Sequence, residues 1–365
     1  MENNNQIAGN KGEWSEFYAF IKILTDRKLF AADENLQKLQ EKFFIVLKII
    51  REEAKTGKKT YDISTNEKTI LIFDEKGSQI GSVDSEVIKS GVVNIFNQMK
   101  AASSASFSVS FADGLMRELQ CTQIKASSGR KADLILKIYD RIAPDAPELG
   151  FSIKSTLGSP STLLNASSAT NFLYSLGYPV AVAEGTKESE NYLKIRDTIK
   201  EIKQSRGLVF EGLENKTFRK NLAKIDTIFP EIMSEILLAY YEGKSSTLDE
   251  LVSVIDGEGT LKNKYGLDKG DLEFKIKNFL VSVALGMTPN TEWDGFTKAH
   301  GGYIVVKDDG EVVCYQLYNR DEFQNYLYKN TKLDTPSTSR HQFGTIYEEN
   351  GKSRIKLNLQ IRFIR

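Results

Sequence analysis

The amino-acid sequence predicts an α/β protein with a mixed sheet flanked by helices, a helical insertion and a C-terminal β-rich part. Three observations lead to this prediction. Apolar side chains recur at helical spacing over 14–24, short runs typical of strands occur over 106–155, and alternation returns around an Asp-Asp-Gly turn over 301–318. Both periods occur along one chain, so an α/β class is expected.

The individual elements follow from the same patterns. Trp14, Phe17, Tyr18, Ile21 and Leu24 form one apolar stripe and predict the first helix. The other predicted elements are a helix over 35–55, a hairpin over 68–83 turning at 74–77, a helix over 84–101, strands over 106–112, 132–140 and 150–155, a helix over 160–176, a mostly helical region over 187–286 with Pro230 in a first turn or kink, a hairpin over 301–318 turning at 308–310, and a terminal strand.

Composition limits the class of protein. The chain has 365 residues, of which 40% are apolar and 27% charged, as in ordinary soluble chains of two or three packed units. No apolar run approaches the length of about 18 residues that a membrane span needs, and the first residues lack the pattern of a signal peptide. We therefore expect a cytoplasmic protein with no membrane partner. Basic and acidic residues number 49 each, so net charge alone does not indicate a nucleic-acid partner.

Cysteine and histidine are too few for the common zinc sites. Cys121 and Cys314 are far apart in the chain and form no Cys-x-x-Cys pair. His300 and His341 are the two histidines, so neither a three-histidine site nor a His-Glu-x-x-His motif can be built. Any metal ion would have to be held by oxygen ligands.

A carboxylate and an amine end two predicted strands. Asp133 begins the strand of 132–140, and Lys154 ends the strand that carries Ser152, with eighteen residues between Asp133 and Ser152. Adjacent strands joined by a loop can bring Asp133 and Lys154 to one end of a sheet. That combination suits phosphodiester hydrolysis, because the carboxylate can hold Mg²⁺ while the ammonium orients a water or stabilises the charge of the transition state.

A magnesium ion usually takes one or two carboxylates besides water and phosphate oxygens, so a second acid is expected. Glu16 is the candidate because it lies near the start of the first helix, beside the apolar stripe, where it can face the sheet. Glu13, one turn earlier, is the alternative.

The spacing of Asp133, Ser152 and Lys154 resembles the PD-(D/E)XK nuclease core, and the string "KGEWSE" is similar to a Lys-Gly-x-x-x-Glu helix start found in some of its members. Two positions depart from the core pattern. Ala132 replaces its proline, and Ser152 stands where it has an acid. Some CCGG-cutting restriction enzymes also carry Ser-x-Lys and recruit a glutamate from the next helix. The corresponding segment here offers only Asn165 and Asn171.

A fuller resemblance is to HpaII-type restriction endonucleases. It is carried, in order, by the strings "NKGEWSEFYAFIKIL", "FSIKSTLGSPSTLLNASSATNF", "PSTSRHQFGTIYEENGK" and "IKLNLQIRF". The resemblance implies Mg²⁺-dependent cleavage of double-stranded DNA at a short palindrome, CCGG in the type enzyme, within a restriction-modification system. A cognate methyltransferase would act on the same site without binding this chain. The expected division is a nuclease core over 1–186, a helical region over 187–290 and a C-terminal recognition part over 291–365.

The C-terminal strand is a candidate DNA-recognition surface. Alternation puts its apolar residues on one face and its polar residues on the other. The polar set is Arg354, Lys356, Asn358, Gln360 and Arg362. Arginine can contact guanine in a bidentate manner, asparagine and glutamine can contact adenine, and lysine can contact phosphate.

Two loops extend the predicted DNA contacts. Near the terminal strand, the expected residues are Ser339, Arg340 and His341, although His341 also suits a structural hydrogen bond. After the catalytic strand, short polar groups are expected to contact DNA phosphates. These groups are Ser155, Thr156, Ser161, Thr162 and Asn165.

Two other functions remain open at this level. Ser152 at an acidic position is compatible with a catalytically inactive protein that binds DNA on a nuclease scaffold. A nuclease of another specificity or substrate is the second alternative. A palindromic site would suit a two-fold symmetric homodimer, but no interface can be recognised in the sequence.

Overall fold

A computed structural model of the chain describes residues 7–126, 132–139, 147–177, 192–205, 207–296, 299–316 and 320–364. The contacts within it divide the chain into two compact units. The first unit is Met1–Ser161 with Thr297–Tyr326, and the second unit is Thr162–Phe296 with Leu327–Arg365. The functional division at 186/187 and 290/291 stays a prediction, and the first of these boundaries lies outside the described residues.

The chain begins with β1 (Ala8–Gly9), α1 (Lys11–Asp26), β2 (Lys28–Ala32), β3 (Lys38–Glu53), β4 (Gly57–Asp62), β5 (Thr69–Phe73), β6 (Gln79–Asp84), α2 (Ser85–Ala101), β7 (Phe107–Ser108), α3 (Ala112–Glu118), β8 (Leu134–Tyr139) and β9 (Glu148–Ser155). It continues with β10 (Thr162–Leu164), a 3₁₀ turn (Ser168–Thr170), β11 (Asn171–Leu176), α4 (Tyr192–Ser205), β12 (Leu208–Leu213), α5 (Lys216–Ile225), α6 (Phe229–Tyr241), α7 (Leu248–Glu258), α8 (Thr260–Tyr265) and α9 (Lys269–Ala284). It ends with β13 (Gly302–Val306), β14 (Val312–Gln316), α10 (Arg320–Lys329), β15 (Thr331–Leu333), α11 (Thr338–His341), β16 (Ile346–Glu349), β17 (Lys352–Asn358) and β18 (Ile361–Phe363).

Nine strands of the first unit form one mixed sheet in the order β2-β14-β13-β9-β8-β3-β4-β5-β6. The β9–β13 and β14–β2 pairs are parallel, whereas the β8–β9 and β3–β8 pairs are antiparallel. β2 also pairs with β3, which closes a ring of six strands. β9 therefore lies inside the sheet, with β8 on one side and β13 on the other.

Helix α1 packs against this sheet and contacts β9. Its apolar stripe is fully buried at Trp14, Phe17 and Leu24. The helix begins at a capping box in which the Asn10 side chain accepts from the Glu13 amide and the Glu13 carboxylate accepts from the Asn10 amide. The cap fixes where the helix starts, and the stripe fixes which face meets the sheet, so the polar residues beside the stripe have defined positions.

The second unit combines helices with two small antiparallel sheets. Their strand orders are β12-β11-β17-β16 and β10-β18-β15. Helix α6 is buried along nearly its whole length, as expected for a helix that is apolar on all sides. Pro230 lies in the first turn of α6, one of the two predicted arrangements. Among the helices that the structure describes, none is long and apolar enough to cross a bilayer.

Most of the predicted elements are confirmed. They are the first helix, the hairpin over 68–83, the helix over 84–101, the strands at 132–140 and 150–155, and the hairpin over 301–318. The strand expected over 106–112 is reduced to two residues, and the helical region over 187–286 also contains the strand β12. The first residues of that region, 187–191, lie outside the described residues.

The predicted helix over 35–55 is wrong, because this segment is the long strand β3. A dense apolar run fits the helical period as easily as the strand period, and here it is rich in Phe and Ile, which favour strands. Pairing with β8 on one side and β4 on the other puts the run inside the sheet. The predicted helix over 160–176 is also wrong. Its Ser, Thr and Asn residues are weak helix formers, and Phe172, Tyr174 and Leu176 are buried at the period of a strand.

The close approach of β13 and β14 requires glycine at residue 302. Gly302 has φ +126°, and a Cβ atom there would lie 2.1 Å from the Tyr315 carbonyl oxygen. We expect Gly302→Ala to lower the free energy of unfolding by about 3 kcal/mol or more, because backbone would have to move. Gly77→Ala is the control, since Gly77 also has a positive φ of +81° but no atom within 4 Å of the added carbon. It should cost only about 1 kcal/mol. Equal losses in urea-unfolding measurements would contradict this explanation.

Candidate active site

Asp133 is held at the point where β8 begins to pair with β9. Its amide donates to the Phe151 carbonyl at 2.8 Å. Its carboxylate Oδ2 accepts from the Ile153 amide at 2.7 Å and from the Ser152 hydroxyl at 3.2 Å. The side chain thus replaces the next backbone acceptor of the ladder, and its position is fixed by the fold.

Lys154 lies on the same side of β9 as Ser152, because side chains alternate along a strand. The pairing of Leu134 with Phe151 continues by one residue to place Asp133 opposite Ser152, and opposed residues share a face. Phe151 points to the other face and is fully buried. The register of β8 and β9 therefore places Asp133 and Lys154 on the same face of the sheet, as predicted.

Lys154 also lines a cavity of about 660 Å³ in the first unit. Glu16 from α1 lines the same cavity, together with Lys11, Ser155 and Ser161. The structure thus brings the helix acid and the strand lysine, which are far apart in sequence, to one concave site. Such a site with convergent charged groups is the usual form of a catalytic centre.

Glu16 carries the strongest sign of a functional acid. Its side chain is only 12% exposed, and its Oε1 lies 3.1 Å from the Lys125 ammonium. Burial, followed by the negative charge of Asp133, raises the pKa of Glu16 to about 7, even though Lys125 and Arg51 act in the opposite direction. Glu16 and Asp133 are therefore near enough to repel each other. Of the two helix acids considered, Glu13 is the one engaged in the capping box.

The residues present fit an oxygen-liganded divalent ion. Glu16 Oε2 is buried and has no hydrogen-bond partner within the described part of the chain. Such an orphaned carboxylate oxygen, with the charge of Asp133 acting on the same side chain, is a natural ligand position. No group of three or more His, Cys, Asp or Glu side chains able to hold a metal occurs among the described residues. The remaining ligands would accordingly be water, backbone and phosphate oxygens.

A buried ion pair near the site was not recognised in the sequence. Arg51 and Glu53 of β3 are 3% and 2% exposed, and their side chains are 3.1 Å apart. Arg51 donates to the Ile124 carbonyl at 2.8 Å, and Glu53 accepts from the amide and hydroxyl of Thr122. Burial opposes ionisation of Glu53, but the hydrogen bonds from Thr122 and Arg51 hold its pKa below the usual range. The pair anchors the segment that leads into Lys125, and the wrong helix prediction for β3 concealed it.

The five polar residues predicted to contact phosphates after β9 do not share one environment. The Ser155 hydroxyl accepts from the Leu157 amide at 3.0 Å, and the Thr156 amide donates to the Val306 carbonyl at 2.9 Å. Thr162 belongs to the second unit, in β10, and Asn165 is exposed there. Ser155 and Ser161 are the two members of this set that line the cavity.

The predicted C-terminal strand is two strands in two sheets, β17 and β18. The alternation of a dry and a wet face is therefore wrong at its centre, where Asn358 is fully buried and Gln360 is 9% exposed. Asn358 donates to the Ser167 carbonyl at 2.8 Å and to the Asn171 side-chain oxygen at 2.7 Å. Its amide fixes the sheet where the chain passes from one strand to the next.

The basic members of the same set pair with acids of the second unit. Arg354 lies 2.7 Å from Glu211, Lys356 lies 2.8 Å from Glu214, and Arg362 lies 3.1 Å from Asp334.

Ser339, Arg340 and His341 lie in the short helix α11 rather than in a loop. Ser339 and Arg340 are exposed. Burial and the charge of Arg340 lower the pKa of His341.

Comparisons with known proteins give one consistent result. The family described as HpaII restriction endonuclease matches residues 10–363. The chain is 40% identical over 361 residues to the type II restriction enzyme HpaII of Haemophilus parainfluenzae, a match that covers 98% of this chain and 99% of that enzyme. No solved structure gives a significant match.

The raised pKa of Glu16 predicts a cost to stability. The pKa of this carboxyl is about 7 in the folded protein and 4.5 in the reference state. The folded protein therefore loses stability as pH rises from 4.5 to 7, and the full cost is present above pH 7. Glu16→Gln should therefore unfold at higher urea than the wild type at pH 8 without metal, with a gain of roughly 2–3 kcal/mol, and show little gain at pH 4.5.

Glu13→Gln is the control for this measurement, because glutamine can also complete a capping box. It should change stability little at either pH. A Glu16→Gln variant less stable than the wild type at pH 8 would contradict the account of the Glu16 environment.

Proposed function

The chain belongs to the HpaII restriction endonuclease family, and we propose on that premise that Asp133, Glu16 and Lys154 carry its cleavage of DNA with Mg²⁺ as cofactor. It is a homologue of a type II restriction endonuclease, a site-specific deoxyribonuclease whose substrate is double-stranded DNA. Divalent ions are general in such enzymes. The observation that carries the residue assignment is the cavity that Glu16 and Lys154 share; Asp133 does not line it, but its carboxylate accepts from the amide of Ile153, which does.

Asp133 and Glu16 would hold the metal ion. When bound, Mg²⁺ neutralises charge on the scissile phosphate and makes a nearby water more acidic. Ser152 does not supply the acid of the PD-(D/E)XK pattern; its hydroxyl donates to Asp133 and keeps the carboxylate oriented. Glu16 supplies the second carboxylate from α1, and its orphaned Oε2 is the atom available for this role.

Lys154 positions the attacking water or stabilises the negative charge that develops on the phosphate. Its ammonium is carried by a strand that is paired on both sides, so it is presented from a rigid element. The mixed sheet, the β8–β9 register and the flanking helix α1 support a PD-(D/E)XK fold for the first unit. Ala132 in place of proline leaves this register unchanged, since the Asp133 amide still donates to β9.

Recognition of a short palindrome, CCGG, is part of the proposal and is supported by the 40% identity along nearly the whole chain. A homodimer would present two equivalent sites to the two strands of a palindrome. A cognate methyltransferase would modify the same site without binding this chain. We propose a cytoplasmic location, because both this enzyme and the methyltransferase act on DNA.

For base recognition we propose the exposed Arg340 with Ser339 and His341 of α11, and the basic side chains Arg354, Lys356 and Arg362. DNA phosphates and bases would compete with the acids that pair with these side chains in the free protein. Asn358 and Gln360 are buried, so we do not propose them as base contacts; Asn358 instead holds the chain between β17 and β18 through Ser167 and Asn171. Phosphate contacts are proposed for Ser155, Thr156, Ser161, Thr162 and Asn165.

Exchange of the proposed catalytic groups should separate cleavage from binding. Asp133→Asn and Lys154→Ala should each reduce cleavage of plasmid DNA with Mg²⁺ by about a thousand-fold or more, while gel shifts show largely retained binding. Lys137→Ala is the control, because Lys137 is another half-buried strand lysine of the same sheet. Cutting at the wild-type rate by either variant would remove the proposed active site. Sequencing the fragment ends of the wild-type digest tests CCGG directly.

Arg362→Ala should weaken discrimination between the recognition site and other sequences by roughly 1–3 kcal/mol if its guanidinium contacts a base. The affinity of the variant for a duplex with the site and for a random duplex is measured at one salt concentration. Equal losses on both duplexes would show a phosphate contact and overturn the base-reading role.

A further inference from the structure

Lys125 places a second ammonium at the carboxylate pair. Its Nζ lies 3.1 Å from Glu16 Oε1, and its side chain is 55% exposed, whereas that of Glu16 is 12% exposed. Burial opposes the charge of Lys125, but Glu16, then Asp133 and then Glu13, raise its pKa. Three carboxylates of the first unit therefore act on this one cation, which has no part in the proposed cleavage of DNA.

The carboxylate pair needs a counter-charge when no metal is bound. Two like charges in a partly buried site repel each other, and the side chain of Glu16 is only 12% exposed. The Lys125 ammonium supplies part of that counter-charge through Oε1 and leaves Oε2 without a partner. A divalent ion at the pair would meet this ammonium as a like charge at short range, so both cations cannot keep full contact with Glu16.

The backbone that leads to Lys125 is fixed, although its side chain is half exposed. Buried Arg51 holds the Ile124 carbonyl, and Glu53 holds Thr122 three residues before Lys125. The four-carbon stem of lysine can rotate into solvent without disturbing this anchor. An anchored backbone and a rotatable side chain suit an ammonium that contacts Glu16 in one state of the site and points to solvent in another.

We propose that Lys125 is a placeholder cation, a positioning residue that neutralises the Glu16–Asp133 pair in the metal-free enzyme and that the divalent ion must displace. The proposal rests on the proposed function, because it takes this carboxylate pair as the metal site. Lys125 thereby lowers the affinity of the free enzyme for metal and keeps the two acids in place until the ion arrives.

The test is the affinity of the DNA-free protein for Mg²⁺, measured by isothermal titration calorimetry at pH 8.5. Lys125→Gln should bind Mg²⁺ about ten-fold more tightly than the wild type, because the competing charge is gone. Lys125→Arg keeps the charge and should stay near the wild-type affinity. Lys11→Gln is the matched control, since Lys11 lines the cavity that contains Glu16, and its affinity should change by less than about two-fold.

Thermal melting supplies a second readout. Without metal, Lys125→Gln should melt below the wild type, and saturating Mg²⁺ should remove most of the difference. Affinity of Lys125→Gln equal to or weaker than that of the wild type overturns the placeholder role. If Glu16→Gln and Asp133→Asn both bind Mg²⁺ like the wild type, the metal site itself is misplaced, and that result is distinct from a failure of Lys125 alone.

Discussion

The repulsion between Glu16 and Asp133 is the constraint on which the site depends. An α-helix and a strand start bring two carboxylates close enough for the charge of one to raise the pKa of the other. A folded protein keeps such an arrangement only where the surrounding structure enforces it. The capped helix α1 enforces one side, and the β8–β9 ladder enforces the other. Their positions make the pair costly without a counter-charge, which is why we propose it as the cation site.

The other residues of the site offset the negative charge of Glu16 and Asp133 or avoid adding to it. Lys125 offsets part of the charge, and the buried pair of Arg51 and Glu53 fixes the segment that carries it. Ser152, which replaces an acid of the nuclease pattern, avoids a third negative charge and donates to Asp133 instead. Lys154 adds a cation to the cavity from a rigid strand. These contacts are the ones on which the proposed site for a divalent ion and a phosphate rests.

The choice of Asp133, Lys154 and Glu16 as candidate site residues was possible from the sequence. The spacing of two strands predicted that Asp133 and Lys154 lie at one end of a sheet, and the helical stripe indicated Glu16. The role of Lys125 could not be predicted, since it follows no periodic element. Its position depends on β3, whose apolar run fits the period of a helix as well as that of a strand. Asn358 fits an exposed alternation in the sequence, but a change of sheet buries it. Long-range pairing decides such positions, and local patterns do not contain it.

The most direct test of the central claim is an anomalous difference map from crystals of the protein soaked with Mn²⁺, an oxygen-liganded substitute for Mg²⁺. The account predicts a peak within about 2.0–2.5 Å of an oxygen of both Glu16 and Asp133, with the Lys125 ammonium withdrawn from Glu16. A peak bound to neither carboxylate, or one at Asp133 while Lys125 keeps its contact with Glu16, would contradict it.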